Sequence, residues 1–200
     1  MFGFSCRWRE DYLPSISPKA QALYLRMSDI WHDFMHNTSI DTLAIFEDDV
    51  HMAESHSVSK INWIVQHTLP ANWDVFYMGR CFDRCYLDMP VAGAADLVRC
   101  WRPKCFHAWA LTKNAARIIY DEAMKPENFM RIPTDELVPN LIHAHRLIAY
   151  CAEPGLIHQD ESSKPGCLGC TPDFLPPVIN EIQHLLYHMW KRLERWYYDD

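Results

Sequence analysis

The sequence lacks a long hydrophobic run, an excess of positive charge and a recognisable leader. No apolar stretch in its 200 residues reaches the length of about 20 residues that a membrane-spanning helix needs. The net charge of −7 argues against a nucleic-acid partner, which normally meets a basic surface. Residues 1–8 lack the basic region and long apolar stretch of a signal peptide. We therefore expect a soluble, cytoplasmic protein that binds no nucleic acid.

Internal repeats and low-complexity linkers are also absent from the sequence. Two hundred residues, 49% of them apolar, are typical of a globular protein with one sizeable core. We therefore expect a single domain over residues 1–200.

Cysteine, by contrast, is plentiful. The eight cysteines include three pairs that are close in sequence: Cys81 and Cys85, Cys100 and Cys105, Cys167 and Cys170. The last pair is a Cys-x-x-Cys, which is compatible with half a zinc site or a redox pair, but no second Cys-x-x-Cys accompanies it. Free thiols, one or two disulfides and a structural zinc are all open, and sequence does not determine the connectivity.

Short apolar runs alternate with amphipathic segments along the chain. The predicted helices are Pro18–His36, Ser57–Leu69, Asn114–Met124, a helix that Pro133–Glu136 precedes and that runs to about His143, and Pro177–Tyr197. The predicted strands are Thr42–Phe46, Trp73–Gly79, Phe106–Thr112 and Arg146–Ala152, with an irregular region over residues 80–103. In the first helix we expect one buried face formed by Ala22, Leu25, Ile30 and Phe34. The alternation predicts an α/β domain with a mainly parallel central sheet flanked by helices.

Three consecutive carboxylates end the first predicted strand, because Glu47, Asp48 and Asp49 follow Thr42–Phe46 directly. Carboxylates held side by side repel one another, and burying them is costly unless a partner compensates the charge. A bound divalent cation is the usual compensation, and carboxylate oxygens suit Mn²⁺ or Mg²⁺. The acidic strand end therefore predicts a metal site, with a solvated acidic loop or an N-cap for the next helix as the alternative.

Side-chain alternation separates the roles of the three acids, because neighbouring residues of an extended backbone point to opposite sides. We expect Asp49 to be the direct metal ligand. Glu47 lies on the same side and is expected to act as a second ligand or to contact the sugar or ribose of a nucleotide. Asp48 is expected to orient the loop around that cofactor.

Five segments occur in an order typical of one enzyme family. They are Ile45–Val50, Trp73–Arg80, Phe106–Arg117, Pro133–Pro139 and Ala152–Ile157. The first two look like the two signatures of glycosyltransferase family 25, which contains the lipooligosaccharide galactosyltransferases and the collagen β-galactosyltransferases. The Pro-x-Asp-Glu-x-x-Pro pattern at Pro133–Pro139 is similar to that of the collagen branch. The resemblance covers residues 16–170.

This resemblance implies a GT-A type nucleotide-diphospho-sugar transferase fold, with the N-terminal nucleotide-binding part shortened. It also implies transfer of a hexose, galactose or glucose, from a UDP-sugar donor to a hydroxyl group of a protein or glycan acceptor, with inversion. Mn²⁺ or Mg²⁺ would neutralise charge that develops on the diphosphate leaving group.

An inverting transfer also needs a base that deprotonates the acceptor hydroxyl. Asp135 is the first candidate and Glu136 the second, since both lie at a predicted helix N-terminus, where the helix dipole favours negative charge. The alternative is that Asp135 only caps its helix. His158 follows a predicted strand and is a candidate for the late histidine that completes the metal shell in many GT-A enzymes, with a surface histidine as the alternative.

Gly79 and Arg80 end a predicted strand and are expected to approach the donor closely. Arg80 is suited either to pairing with the diphosphate or to pairing with nearby acids. Aromatic residues further along are candidates for a stacking platform or for the core: Trp101, Phe106, His107 and Trp109. The aromatic end of the helix Pro177–Tyr197 is a candidate contact to a partner or a membrane surface.

Two other function classes compete with a glycosyltransferase. One is a non-catalytic domain that binds a sugar nucleotide or a glycan on the same scaffold. The other is a metal-dependent hydrolase built on the acidic cluster. The sequence has no histidine-rich shell beside Glu47–Asp49, which disfavours the hydrolase.

Overall fold

The computed structural model describes residues 16–37, 39–81 and 87–159. The cysteine pair at Cys167 and Cys170 and the predicted helix Pro177–Tyr197 lie outside these residues. Within them, no helix is both long and apolar enough to cross a membrane.

The helices lie close to their predicted positions. They are α1 Pro18–Asn37, α2 Ser57–Trp63, which continues as a π-helical turn at Ile64–Thr68, α3 Lys113–Ala123 and α4 Thr134–His143. The strands are β1 Thr42–Phe46, β2 Val50–Met52, β3 Val75–Cys81, β4 Met89–Val91, β5 Ala94–Arg99, β6 Lys104–Thr112, β7 Ala149–Ala152 and β8 Ile157–Gln159. The region predicted to be irregular thus contains the β4–β5 hairpin, and β2 and β8 are additional short strands.

A central sheet has the strand order β1-β6-β3-β7-β5-β4, and β2 pairs with β8 in a separate two-stranded ribbon. Only β3 and β7 are parallel, whereas the other neighbours in the central sheet are antiparallel. A mixed α/β fold with a central sheet flanked by helices is therefore confirmed, but the mainly parallel sheet is wrong. Hydrophobic periodicity reports which face of a strand is buried and carries no information on the direction of its partner.

Helices α1, α3 and α4 pack on one face of the sheet. The buried face of α1 consists of Tyr24, Met27, Trp31 and Phe34. Of the predicted face, Phe34 is buried and Ile30 packs against the core, whereas Ala22 and Leu25 are exposed. The aromatic residues outweigh the aliphatic ones because each buries more apolar surface.

A second hydrophobic cluster fills the opposite face, where α2, the π-helical turn and the β2–β8 ribbon cover the sheet. Strand β6 contributes buried residues to both clusters. Phe106 and Trp109 are stacked, with ring centroids 4.5 Å apart, and His107 is 1% exposed. Of the aromatic residues considered for a stacking platform, these three are therefore core residues.

A disulfide joins Cys100, just after β5, to Cys151 in β7. Cys100 is thus paired across the sheet and not with its near neighbour Cys105, which is also disulfide-bonded. The bond closes a loop with a sequence separation of 51 residues. Closing a loop of that length stabilises the fold by about 4 kcal/mol through the entropy of the unfolded chain. Because disulfides persist mainly in oxidising compartments, the bond weighs against the cytoplasmic expectation.

Candidate metal and donor site

Side chains alternate along β1, which ends just before the three acids. Leu43 and Ile45 pack on the core, whereas Ala44 and Phe46 are exposed. The chain leaves β1 in a turn that places Asp48 in solvent and leaves Glu47 and Asp49 half-buried. The turn then feeds β2, whose pairing with β8 folds the chain back over the end of the central sheet.

The two half-buried carboxylates converge on one buried amide. Gln159 in β8 is 3% exposed. Its side-chain nitrogen donates to Glu47 Oε2 at 3.0 Å and to Asp49 Oδ2 at 2.8 Å. Glu47 and Asp49 are therefore brought together, as predicted, and the residue that holds them lies 112 positions from Glu47 in the sequence.

His107 of β6 contacts both the acidic turn and β8. Its backbone carbonyl accepts the N–H of Glu47 at 2.9 Å, and its ring Nε2 lies 3.2 Å from the carbonyl oxygen of Ile157. Ile157 begins β8, the strand that carries Gln159. The backbone of Glu47, the ring of His107 and the strand β8 thus form a closed set of contacts, which fixes the acidic turn against the sheet.

Gly79 makes room for these contacts. A Cβ at this position would overlap the carbonyl oxygen of Ile157 and Nε2 of His107. Beside Gly79, the N–H of Leu156, the residue before β8, donates to the carbonyl of Met78 in β3 at 2.8 Å. Gly79 was predicted to approach a donor, and in the structure it is the protein's own backbone and His107 that approach it.

His158 lies on the other side of β8 from Gln159, because side chains alternate along a strand. It is paired with His51 of β2, and the two rings are nearly parallel with centroids 5.9 Å apart. The structure thus places the predicted third metal ligand beside a second histidine and not with the pair of acids that Gln159 holds.

One oxygen at the acidic turn is suited to bind a hard cation. Asp49 Oδ1 is buried and has no hydrogen-bond partner, an arrangement that costs free energy unless a cation or donor satisfies it. Within the described residues, no group of three His, Cys, Asp or Glu side chains is arranged to hold a metal. A site with one or two carboxylates is nevertheless the common arrangement for Mg²⁺, which takes its other ligands from water and substrate phosphates.

Arg80 is buried and engaged by acids. Its guanidinium donates to Asp88, and its other terminal nitrogen lies 2.7 Å from Glu153 Oε2. Asp88 also accepts the N–H of Trp101 at 2.8 Å. Burial raises the pKa of Asp88 above its ordinary value, although Arg80 and the Trp101 N–H act in the opposite direction. Of the two roles considered for Arg80, the structure shows the pairing with nearby acids.

The two candidate bases lie in the first turn of α4, as predicted, in different surroundings. Asp135 is exposed and lines an open depression of about 280 Å³ between the first turns of α1 and α4. Glu136 is bound by Arg102 at 3.0 Å and by Lys104. The N-cap of α4 is Pro133, which makes no side-chain cap bond, so Asp135 is not the capping residue.

Two residues of the site, His107 and Gln159, were not predicted to hold the acids. His107 was considered only as an aromatic, and its supporting role depends on contacts from three strands. Gln159 and His51 belong to the β2–β8 ribbon, whose strands have three residues each and pair across most of the described chain. Strands that short give no periodic signal.

No protein-family model matches the chain, and no curated protein matches it either. The resemblance to glycosyltransferase family 25 therefore rests on the five sequence segments alone.

Proposed function

We propose that this protein is a metal-dependent glycosyltransferase of the GT-A type, related to family 25. It transfers a hexose, galactose or glucose, from a UDP-sugar to a hydroxyl group of a protein or glycan acceptor, with inversion. The observation that carries the proposal is the convergence of Glu47 and Asp49 on one buried amide, with a buried Asp49 oxygen that lacks a partner. This convergence occurs in the segment that resembles the family's acidic signature.

Glu47 and Asp49 are the residues that would hold Mn²⁺ or Mg²⁺. The cation would supply charge neutralisation for the diphosphate that leaves as the sugar is transferred. Asp48, exposed at the tip of the turn, is available to a bound nucleotide sugar. The backbone bond of Glu47 to His107 in β6 and the bonds of both acids to Gln159 in β8 hold the acids in place before the donor arrives.

A screen of nucleotide sugars tests the proposal. We expect hydrolysis of a UDP-hexose, or its transfer to an acceptor, that Mn²⁺ stimulates and a chelator abolishes. GDP- and CMP-sugars serve as controls of donor class. If no UDP-sugar is turned over at millimolar concentration with Mn²⁺ present, the enzyme proposal is wrong.

The base is tested by comparing two conservative variants. Asp135→Asn should reduce sugar transfer by about 100-fold or more, the usual contribution of a general base, while UDP and Mn²⁺ still bind. Glu136→Gln should change the transfer rate little, because Glu136 already balances Arg102 and Lys104. Transfer rates and calorimetric binding of UDP distinguish the two. A larger loss in Glu136→Gln would assign the base to Glu136, and unfolding of Asp135→Asn would point to a structural role.

A non-catalytic sugar-nucleotide or glycan-binding domain is the second candidate. Two observations favour it: Arg80 and Glu136 are both engaged in ion pairs within the protein. Calorimetry with UDP and Mn²⁺ separates it from an enzyme. Binding without turnover of any nucleotide sugar supports the binding domain.

A further inference from the structure

We propose that Gln159 positions Glu47 and Asp49 in the metal-free protein and becomes a third oxygen ligand when a divalent cation binds, an assignment that rests on the metal dependence of the proposed function. Gln159 is 3% exposed, so its polar group has been taken out of water for the contacts that it makes here. The contacts of its side-chain nitrogen include both carboxylates.

The amide nitrogen of Gln159 is fully used by the acids. A primary amide has two N–H donors. The distances of 3.0 Å to Glu47 Oε2 and 2.8 Å to Asp49 Oδ2 allow one donor for each carboxylate. The positive end of the amide dipole thus lies between two negative groups, and it offsets part of their repulsion in the absence of a cation.

The same side chain offers an oxygen to a cation. Half a turn about its terminal carbon–carbon bond exchanges the NH₂ group for the carbonyl oxygen. Glu47, Asp49 and Gln159 then present oxygens only, the ligand type that Mg²⁺ and Mn²⁺ prefer. Asp49 Oδ1, which is buried and lacks a hydrogen-bond partner, is a further carboxylate oxygen available to a cation.

The register of the β2–β8 ribbon decides between Gln159 and His158 as the third ligand. Gln159 is paired with Val50 and faces the buried side of the ribbon. His158 faces the opposite side and is matched with His51. The structure thus favours Gln159 over the histidine that the family resemblance suggests.

Mn²⁺ binding in the absence of nucleotide tests this assignment without relying on activity. Free Mn²⁺ is measured by its electron paramagnetic resonance signal during titration of the full chain. Gln159→Met removes both amide atoms at similar size and should weaken Mn²⁺ binding by about tenfold or more. Gln66→Met is the matched control, since Gln66 is exposed on the π-helical turn, and it should bind as the wild type does.

Gln159→Glu provides a second test that does not depend on the Met variant folding well. It keeps an oxygen ligand but removes the amide donors, so three carboxylates converge. We expect Mn²⁺ binding at least as tight as in the wild type, together with a lower melting temperature in chelator that Mn²⁺ restores. A purely structural role for Gln159 would lower the melting temperature equally with and without Mn²⁺.

The outcomes separate this assignment from the proposed function. If the wild type and Gln159→Met bind Mn²⁺ equally, or if His158→Phe loses binding in place of Gln159→Met, the assignment is wrong and the glycosyltransferase proposal stands. If Gln159→Met loses Mn²⁺ binding but no nucleotide sugar is turned over, the assignment stands and the enzyme proposal fails. Absence of Mn²⁺ binding to the wild type at millimolar concentration without nucleotide overturns the assignment, whereas the enzyme proposal is decided by the nucleotide-sugar screen.

Discussion

Asp49→Asn should reduce metal-stimulated turnover of the nucleotide sugar by about 100-fold or more, the scale on which loss of one transition-state charge contact is felt. Asparagine keeps the size of the side chain and one acceptor oxygen for Gln159, but it lacks the charge that holds a cation. The expected loss corresponds to about 2.7 kcal/mol of transition-state stabilisation. Initial rates over a range of Mn²⁺ concentrations measure it.

The same substitution should leave the fold intact or make it more stable. Glu47 and Asp49 repel each other across the amide of Gln159, and neutralising one of them relieves that repulsion. A melting temperature in chelator equal to or above that of the wild type is therefore expected. Asp121→Asn, an exposed change on α3, is the control for loss of one negative charge. If Asp49→Asn has an unchanged rate and an unchanged dependence on Mn²⁺, the assignment of the metal to Asp49 is wrong.

Gly79→Ala should destabilise the fold by about 3 kcal/mol or more, at the upper end of overpacking effects. The added Cβ would overlap the backbone carbonyl of Ile157, and that atom cannot turn away as a flexible side chain could. In a domain of this size, such a change lowers the melting temperature by about 6–12 °C. Thermal unfolding followed by circular dichroism measures it.

Gly155→Ala is a matched control for this prediction. The nearest atoms to a Cβ at Gly155 are 4.0 Å away, an ordinary contact, so the melting temperature should change by little. Gly79→Ala should also weaken Mn²⁺ binding, because it displaces β8, the strand that carries Gln159. Equal melting temperatures for Gly79→Ala and Gly155→Ala would contradict the close approach of β3 and β8.

Local pattern was sufficient for most individual elements. Thr42–Phe46 has a polar break on one side and acids on the other, so alternation and flanking residues agreed on its ends. The first residue of α2 was likewise predicted correctly. The face of α1 was predicted only in part: Ile30 and Phe34 pack on the core, whereas Ala22 and Leu25 lie beside the aromatic residues that do so.

Long-range pairing was beyond the reach of pattern. Strand β4 has three residues with Pro90 in its middle, which is atypical of strands, and its partner β5 therefore also escaped prediction. The direction of each strand depends on the connections between elements, and β6 enters between β1 and β3 as an antiparallel neighbour to both.

In the candidate site too, the local features were predictable from the sequence and the long-range pairing was not. Alternation at a strand end predicted that Glu47 and Asp49 share a side, and the structure brings them together although Asp48 and Asp49 lie in a turn. The third partner was not predicted, because Gln159 reaches the acids only through the pairing of β2 with β8. His158, its neighbour, was the stronger candidate by residue type, and a single step in strand register separates the two sides of the ribbon.

The bond between Cys100 and Cys151 gives the chain an unusual connectivity. The segment that it closes contains β6, α3 and α4, and β6 supplies His107 to the acidic turn. A single break in the backbone within that segment leaves every strand of the central sheet covalently attached to the others. Residues 100–151 therefore lie within a covalent ring, and the acidic turn and the amide that binds it lie in the segments before and after that ring.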